Sequence, residues 1–576
     1  MIHGSQIVDF ILKEDDDLNS LLSCLSKKVF RNRQSGFALV SDINGKLTGV
    51  VTDADIRKFL LVNKRMPSQV GEVANRNFIS ITEKLPNELW PSEIATQMSS
   101  RGWSTNYPVR FVPIVNQDSI PIGIIDTQDF EREIEKLRDQ VIVVGLGYVG
   151  LTVALAMADS EMRVVGFDLD EIKVNQLLAG VSPLYEQGLD EVLSNRLGIN
   201  LTFQTNFVFR ERGSGQAAVY VICLPTPLDP KTKQLDLSYI ENFLEVLVPV
   251  LNQGDCVVLR STVPLGTGRR IVENIERKRS WKVGSDFYYV QAPERTVEGD
   301  ALREIRDLPQ IIGGATPACL DRGLKLFADV AKLTLPVSSI ETAEIVKLAG
   351  NAFRDYSFAF ANKLSEVARS YNVDVDEVIH KSNLNYPRST IPAPSPGVGG
   401  PCLTKDPYLF GNQEEKNSPI LSARLYNESV PIQLVDFLDS KIKNRQSGLT
   451  IGLAFKGTPP TDDLRNSTNM YISQELSKYF KDFATWDAVV DLSQIKYGLS
   501  EKEILERPGF DFIGILNNHT SNALLVRKIL IETDLKEITI FDPWRTIDLN
   551  SCVINKKVVS INYITMSMAK TWHQSR

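Results

Sequence analysis

Cys402 stands in the run Gly399-Gly-Pro-Cys-Leu-Thr-Lys-Asp406, a glycine-rich loop that leaves space around a thiol and places an acid four residues on. A cysteine thiolate is intrinsically very nucleophilic and forms covalent intermediates that divide one difficult step into two easier ones. An isolated cysteine is more often a small buried hydrophobe. Lys347 and Asn351 are also four apart and share one face of a predicted helix, with Arg354 one turn further. A polar stripe of this kind is commonly a solvated face. Here Ala343, Leu348, Ala349, Ala352 and Phe353 surround it, which points to a packed helix carrying a few inward polar groups.

A second constellation is Gly145-Leu-Gly-Tyr-Val-Gly150. It follows the apolar run Val141-Ile-Val-Val and opens a small-residue helix, Leu151 to Asp159. The next strand, Arg163-Val-Val-Gly-Phe-Asp168, ends in an acid eighteen residues after Gly150. A lone glycine motif is weak, but strand, glycine turn, helix, strand and acid together mark a dinucleotide site. Gly145 permits the tight turn, Gly147 a close approach of backbone to pyrophosphate, and Gly150 close helix packing. The helix N-terminus offers unpaired N–H groups to phosphate. Asp168 accepts from the adenosine ribose hydroxyls and would repel a 2′-phosphate, which favours NAD.

These residues need elements to hold them. Further strand-like runs, Ala218-Val-Tyr-Val-Ile-Cys223 and Cys256-Val-Val-Leu259, alternate with helices and predict a parallel, doubly wound sheet. Ile340 to Arg369 reads as one long helix, and a Pro/Gly-rich loop, Pro387 to Pro401, interrupts the helical region after it. From Gly448 a second alternating pattern begins, with Leu449 to Phe455, Asp511 to Leu516 and Glu537 to Phe541 as strands. Residues 1–138 carry an internal repeat. Gly36 to Lys58 and Val109 to Asp129 each hold two apolar runs about a polar turn, the first around Asn44-Gly45, a strong hairpin signal. Thr52-Asp-Ala-Asp55 ends the first copy and Asp126-Thr-Gln-Asp129 the second. Glu131 to Asp139 reads as a charged closing helix and connector.

The 576 residues carry a net charge of −7, which argues against a nucleic-acid binder, whose domain is normally basic. No apolar run approaches the length of a membrane span, and Met1 to Asp17 lacks the pattern of a signal peptide. The six cysteines are scattered without CxxC pairing, so neither a disulfide framework nor a zinc or other metal site is expected. A reducing, cytoplasmic setting fits.

The motifs Gly145-Leu-Gly-Tyr-Val-Gly-Leu151, Leu224-Pro-Thr-Pro-Leu228, Ser261 to Thr267, Ala292-Pro-Glu-Arg295, Ala343 to Arg354, Gly397 to Pro407 and Ala454-Phe-Lys-Gly457 follow one another over residues 140 to 545. In this order they resemble the UDP-glucose/GDP-mannose dehydrogenase superfamily, especially its UDP-N-acetylhexosamine branch. The repeat in residues 1–138 resembles a tandem CBS pair. The resemblance implies an NAD-dependent nucleotide-sugar 6-dehydrogenase in which Cys402 is the nucleophile. The sugar CH2OH would become a carboxylate with two NAD, through a thiohemiacetal and a thioester on Cys402.

By the same resemblance, Lys347 and Asn351 stabilise the oxygen that becomes anionic, Asp406 helps proton transfer, and Glu294 and Thr262 serve thioester hydrolysis, although an ordinary ion pair is the other reading of Glu294 and Asp406. The cofactor set is Gly145, Gly147, Tyr148, Val149, Gly150, Asp168, Lys173, Thr226 and Thr262. Substrate would meet Arg354, Gly399, Lys456 and Arg465, with Arg388 reaching a neighbouring subunit's substrate. Thr52 and Asp55 would hold an adenine nucleotide in the CBS module, which otherwise serves only as a dimerisation module.

The implied fold is α/β: two Rossmann-like doubly wound domains joined by a helical dimerisation segment, preceded by an α+β CBS pair. The boundaries are 1–138, 139–335, 336–445 and 446–576, and a homodimer or higher homo-oligomer is expected. Pro401 stands where the branch has histidine, Arg260 where a branch carries an acid, and Trp486-Asp487 where the family has Tyr-Asp-Pro; these departures bear on the sugar. UDP-N-acetylglucosamine, UDP-N-acetylmannosamine, UDP-N-acetylgalactosamine and UDP-glucose all stay open. Two other readings are a nucleotide-binding sensor with a weakened dehydrogenase body, and a two-electron dehydrogenase of the 6-phosphogluconate type that needs no cysteine.

Overall fold

The computed structural model describes the chain apart from residues 1, 27, 31–32, 35, 87–89, 91–92, 95–96, 98–100, 102–109, 128–139, 208–216, 230–231, 411–416 and 574–576. Asp129 and the charged stretch 131–139 therefore lie outside the described residues. The chain divides into two units, Met1–Arg138 and Asp139–Arg576.

In the first unit the sequence repeat is a structural repeat. Ile11–Lys13 runs parallel to Phe37–Ser41, which turns back antiparallel into Leu47–Thr52. Ile81–Thr82 likewise runs parallel to Phe111–Val115, which turns back into Pro121–Asp126. Both hairpins shift register at the same place, Val40/Ser41 and Ile114/Val115. Both turns place a residue in the left-handed region. In the first it is Gly45, at φ 80°, which pays no Cβ penalty. In the second it is Ser119, at φ 63°, beside Asn116, whose side chain accepts from the N–H groups of Asp118 and Ile120.

The second unit begins with an eight-stranded sheet. Its strand order is Leu201–Gln204, Val164–Phe167, Gln140–Val144, Ala218–Ile222, Cys256–Leu259, Tyr288–Gln291, Gln310–Gly314 and Thr334–Val337. Every pairing is parallel except that of Tyr288–Gln291 with Gln310–Gly314. The apolar runs explain this. Val143, Val221, Val258 and Val290 pack into one buried cluster, while Val144, Ile222, Leu259 and Tyr289 pack into another. A strand apolar on both faces must be covered on both, which is the doubly wound arrangement.

The helix Ile340–Ser370 follows, 31 residues long. Its start is fixed by Ser339, whose hydroxyl accepts from the N–H of Thr342 at 3.1 Å. The helices Val375–Asn383, Asp406–Phe410 and Pro419–Asp439 complete the helical segment. A six-stranded sheet closes the unit, in the order Asp482–Trp486, Ser447–Ile451, Phe512–Ile515, Glu537–Phe541, Ser560–Ile564 and Ala569–His573. Only its last pairing is antiparallel. This is the second, smaller α/β sheet expected from Gly448 onward. Among the described residues no helix is long and apolar enough to cross a membrane.

Candidate active site

The strand order reverses between Gln140–Val144 and Ala218–Ile222, and in open α/β sheets ligands bind at such switch points. Gly145 turns the chain there at φ 88°, and its N–H donates to Phe167 O at 2.8 Å. A Cβ on Gly150 would lie 1.7 Å from Gly145 O, so the helix Tyr148–Asp159 can approach the turn only with glycine at that place. Gly147 is different. It is exposed, a Cβ there would meet nothing within 4 Å, and the helix that Gly147 caps has no side-chain cap. Open space before uncapped N–H groups suits a pyrophosphate.

Asp168 ends the neighbouring strand. Its carboxylate accepts from the N–H of Leu146 at 2.7 Å, from that of Asp170 at 3.0 Å and from Lys173 Nζ at 3.0 Å. Burial works against its ionisation, but these three donors outweigh it and lower its pKa. A fixed carboxylate beside an open glycine cradle fits NAD. Lys173 is thereby a partner of Asp168. Tyr148 turns toward the second sheet: its hydroxyl donates to Asp462 and Arg465 lies 5.6 Å over its ring. Val149 is half-buried in the first turn of the same helix.

Thr226, Thr262 and Glu294 follow the C-terminal ends of three adjacent strands, registered at Ile222↔Leu259 and Leu259↔Gln291. Thr226 Oγ1 donates to Thr262 O at 2.8 Å. Lys405 Nζ donates to Thr226 O at 3.1 Å and to its hydroxyl at 2.9 Å. Lys405, three residues past the cysteine, thus ties the Cys402 loop to the first sheet. Burial lowers its pKa, against the opposing pull of Asp406 and Cys402.

Glu294 is buried in an ion pair with Arg260, which is itself fully buried. Its other oxygen accepts from the N–H groups of Arg295 and Thr296, at 2.7 and 2.8 Å. Burial alone would raise its pKa; Arg260 and the two amides bring it down to about 2. Arg260, marked in the sequence only as a departure, is the counter-ion of Glu294.

Cys402 lies in a turn whose carbonyl accepts from the N–H groups of Lys405 and Asp406, at 3.1 and 2.9 Å. The residue as a whole is half-buried. Desolvation raises its pKa, as do the carboxylates of Asp406 and Glu298, while Lys347 and Lys405 act the other way. Asn351 Nδ2 donates to Asp406 Oδ2 at 2.6 Å. Asp406 Oδ1 is buried without a hydrogen-bond partner, which for a native carboxylate calls for an explanation such as a reacting group or a water.

The glycines of the loop have a reason other than open space around sulfur. A Cβ on Gly399 would lie 2.6 Å from Asn466 O, and one on Gly400, at φ 91°, 2.7 Å from Phe455. They let the loop lie against the second sheet's turns. At that mouth Lys456 Nζ donates to Glu298 O, and Arg465 pairs with Asp463 at 2.6 Å and Glu298 at 3.6 Å. Arg354 is exposed and adds repulsive charge to Lys456, whose pKa burial lowers. Arg388 is exposed with its guanidinium 4.6 Å over the Tyr386 ring.

In the N-terminal unit, Thr52 Oγ1 donates to Asp55 Oδ2 at 2.6 Å, and together they form a capping box on the helix Asp53–Asn63. Glu298 and Lys405 were not singled out in the sequence. Glu298 is four residues past Glu294 in the same loop, and Lys405 is inside a quoted motif, so proximity was the available signal.

Residues 139–331 match the NAD binding domain of the UDP-glucose/GDP-mannose dehydrogenase family and residues 341–428 its central domain; residues 9–62 match a CBS domain. A UDP-N-acetyl-D-mannosamine dehydrogenase of Pyrococcus horikoshii is 34% identical over 361 residues, 61% of this chain and 84% of that relative. An NDP-N-acetyl-D-galactosaminuronic acid dehydrogenase of Ralstonia nicotianae is 33% identical over 347 residues, 58% of this chain and 79% of that one. The solved structure of a UDP-D-ManNAc dehydrogenase from Pyrococcus horikoshii superposes with a TM-score of 0.63 at 30% identity, covering 74% of this chain and 99% of the other. With its glycine turn, its strand-end carboxylate and these matches, the chain belongs to the UDP-glucose/GDP-mannose dehydrogenase family and uses NAD.

Proposed function

We propose that this protein is a UDP-sugar 6-dehydrogenase that converts the C6 alcohol of a UDP-N-acetylhexosamine to the uronate with two NAD, through a covalent bond to Cys402. The observation that carries the reading is the convergence on Cys402 of Lys347 and the Asn351–Asp406 pair. The names of the relatives support an N-acetylhexosamine. The corresponding division is a regulatory module at 1–138, the NAD domain at 139–335, a helical segment at 336–445 and the sugar-nucleotide domain at 446–576.

Alcohol to acid removes four electrons, and bound NAD takes up one hydride in each of two rounds. Lys347 and Asn351 hold the charge that develops on the sugar oxygen as its proton passes to Asp406, which releases it to solvent before the next step. The aldehyde gives no second hydride until a nucleophile adds. Cys402 sulfur bonds to C6, the carbonyl oxygen gains a proton, and a thiohemiacetal forms. Burial keeps the resting thiol protonated, so attack needs a base, and the unpartnered oxygen of Asp406 takes that proton. Loss of the second hydride, with the hydroxyl proton passing again to Asp406, leaves a thioester. Water adds to its carbon, the C–S bond breaks, and Cys402 is regenerated. Glu294, already an anion, orients that water with Thr262 as a fixed charge. Lys456 and Arg465, with Arg354 at the rim and Gly399 keeping the loop close, receive the diphosphate, and Arg388 serves a neighbouring subunit.

The test is NADH formed per sugar over a panel of UDP-hexoses, for the parent and Cys402→Ser. Two NADH per sugar, abolished in the variant, are expected. One NADH, indifferent to Cys402, sinks the covalent mechanism, and no turnover with any sugar favours a sensor. Thr52 and Asp55 are assigned to an adenine nucleotide; repeating the panel with ATP and AMP present should shift the rate, and identical rates would remove that assignment.

A further inference from the structure

We infer that Arg424 and Asp355 are positioning residues that set the height of the Cys402 loop against the long helix. The inference rests on Cys402 being the nucleophile. The side chains of Arg424 and Asp355 are each only 1% exposed, and Arg424 Nη1 lies 2.7 Å from Asp355 Oδ1. The same guanidinium donates to Leu403 O at 3.0 Å and to Val398 O at 3.3 Å. Those carbonyls bracket Gly399 to Cys402, so one planar fork grips the loop on both sides of the sulfur.

Asp355 is held in turn. Asn427 Nδ2 donates to its backbone carbonyl at 2.8 Å and to Oδ1 at 2.9 Å. Asn362 Oδ1 accepts from the N–H of Ser395, at 2.9 Å, within the Pro/Gly-rich loop that leads to Cys402. The long helix thus presents Lys347, Asn351 and Asp355 at successive i+4 positions on one side. The first two act beside the thiol and the third anchors the loop that carries it.

A buried ion pair is weak evidence of stability, because desolvation offsets its attraction. Here Asp355 Oδ2 has no hydrogen-bond partner, and Arg424 Nε has none but lies 3.6 Å from Glu428, so part of the pair's polar capacity is left unmatched by hydrogen bonds. What it supplies is a rigid fork: Nη1 holds Asp355 and Leu403 O while Nη2 reaches Val398 O, a spread over two fixed nitrogens that a single ammonium nitrogen does not reproduce.

The test is Arg424→Lys, with kcat, KM for NAD and for the UDP-sugar, and the rate of Cys402 alkylation by iodoacetamide. Expected are a kcat at least tenfold lower, both KM values within about threefold of the parent, and an altered alkylation rate, in a protein that melts as one transition. Unchanged kcat and alkylation in the folded variant would overturn the inference, as would a loss confined to KM. Should Arg424→Lys not fold, the apolar pair Arg424→Met with Asp355→Leu is expected to fold and lose kcat. Parent-like kcat in that pair, or failure of both variants to fold, assigns the residues to the core and overturns the inference. Alkylation is read without turnover, so a parent inactive on every UDP-sugar would count against the proposed function separately.

Discussion

Glu294 shows how one neighbour sets what a residue can do. The resemblance gave it a part in hydrolysis, but a carboxylate held at about 2 by buried Arg260 and two backbone amides is a poor proton acceptor near neutral pH. It should leave no limb between pH 5 and 8 in the rate profile. Its stability contribution has a definite sign. The folded pKa lies below the ordinary 4.5, so the stabilisation is fully present above 4.5 and is lost as pH falls from there toward about 2. Glu294→Gln leaves Arg260 charged and buried with no counter-ion, which costs roughly 3–5 kcal/mol. Thermal melts at pH 7 should show that loss, and Arg260→Met placed in the same chain should recover part of it. A Glu294→Gln protein as stable as the parent would mean the pair is not formed.

At the scale of elements, the glycine turn was legible because its function is local: strand, turn, helix and acid are contiguous in sequence. The structure adds that the three glycines are not equivalent. Gly150→Ala puts a methyl 1.7 Å from Gly145 O and must move the turn. Gly147→Ala meets nothing within 4 Å and sits at an ordinary φ of −75°. The first is expected to lower the melting temperature and abolish NAD binding. The second should leave stability within about 0.5 kcal/mol and weaken NAD about tenfold or more by filling the phosphate's approach, close to 1.4 kcal/mol. Calorimetry with NAD titration separates the two, and equal melting losses in both would refute the distinction. The second sheet repeats the turn without a GxGxxG pattern. Gly452, at φ 89°, donates to Trp486 O at 2.8 Å, and Asp487 accepts from the N–H of Leu453 at 2.7 Å. Trp486-Asp487, noted in the sequence only as a departure, therefore keeps the acid that closes the turn.

At the scale of the whole molecule, the sequence was least informative where partners are far apart along the chain. Arg424 meets Asp355 across 69 residues and Arg260 meets Glu294 across 34, and no periodicity links such positions. Along the helical stripe drawn through Lys347, Asn351 and Arg354, Arg354 is exposed while Asp355, one residue on, is buried, a difference that i+3 against i+4 spacing alone does not reveal. The other side of the same helix carries the last consequence. Phe353, Tyr356, Phe360 and Val367 are 66%, 44%, 53% and 43% exposed at spacings of three, four and seven, a continuous apolar stripe. Leu425 and Ile432, on the helix packed beside it, are 58% and 51% exposed. Solvent-exposed apolar patches of this continuity mark association sites, and a self-complementary helix face closes by a two-fold axis. The expected state is therefore a dimer through the long helix, the arrangement in which an exposed Arg388 could reach a second copy's site. Light scattering after gel filtration should give about twice the chain mass for the parent and the chain mass for Phe353→Glu with Phe360→Lys. If Arg388 acts across the interface, the monomeric variant should also lose turnover, and mixing inactive Arg388→Ala chains with inactive Cys402→Ser chains should restore part of it. A monomeric variant with parent activity would place Arg388 outside the reaction.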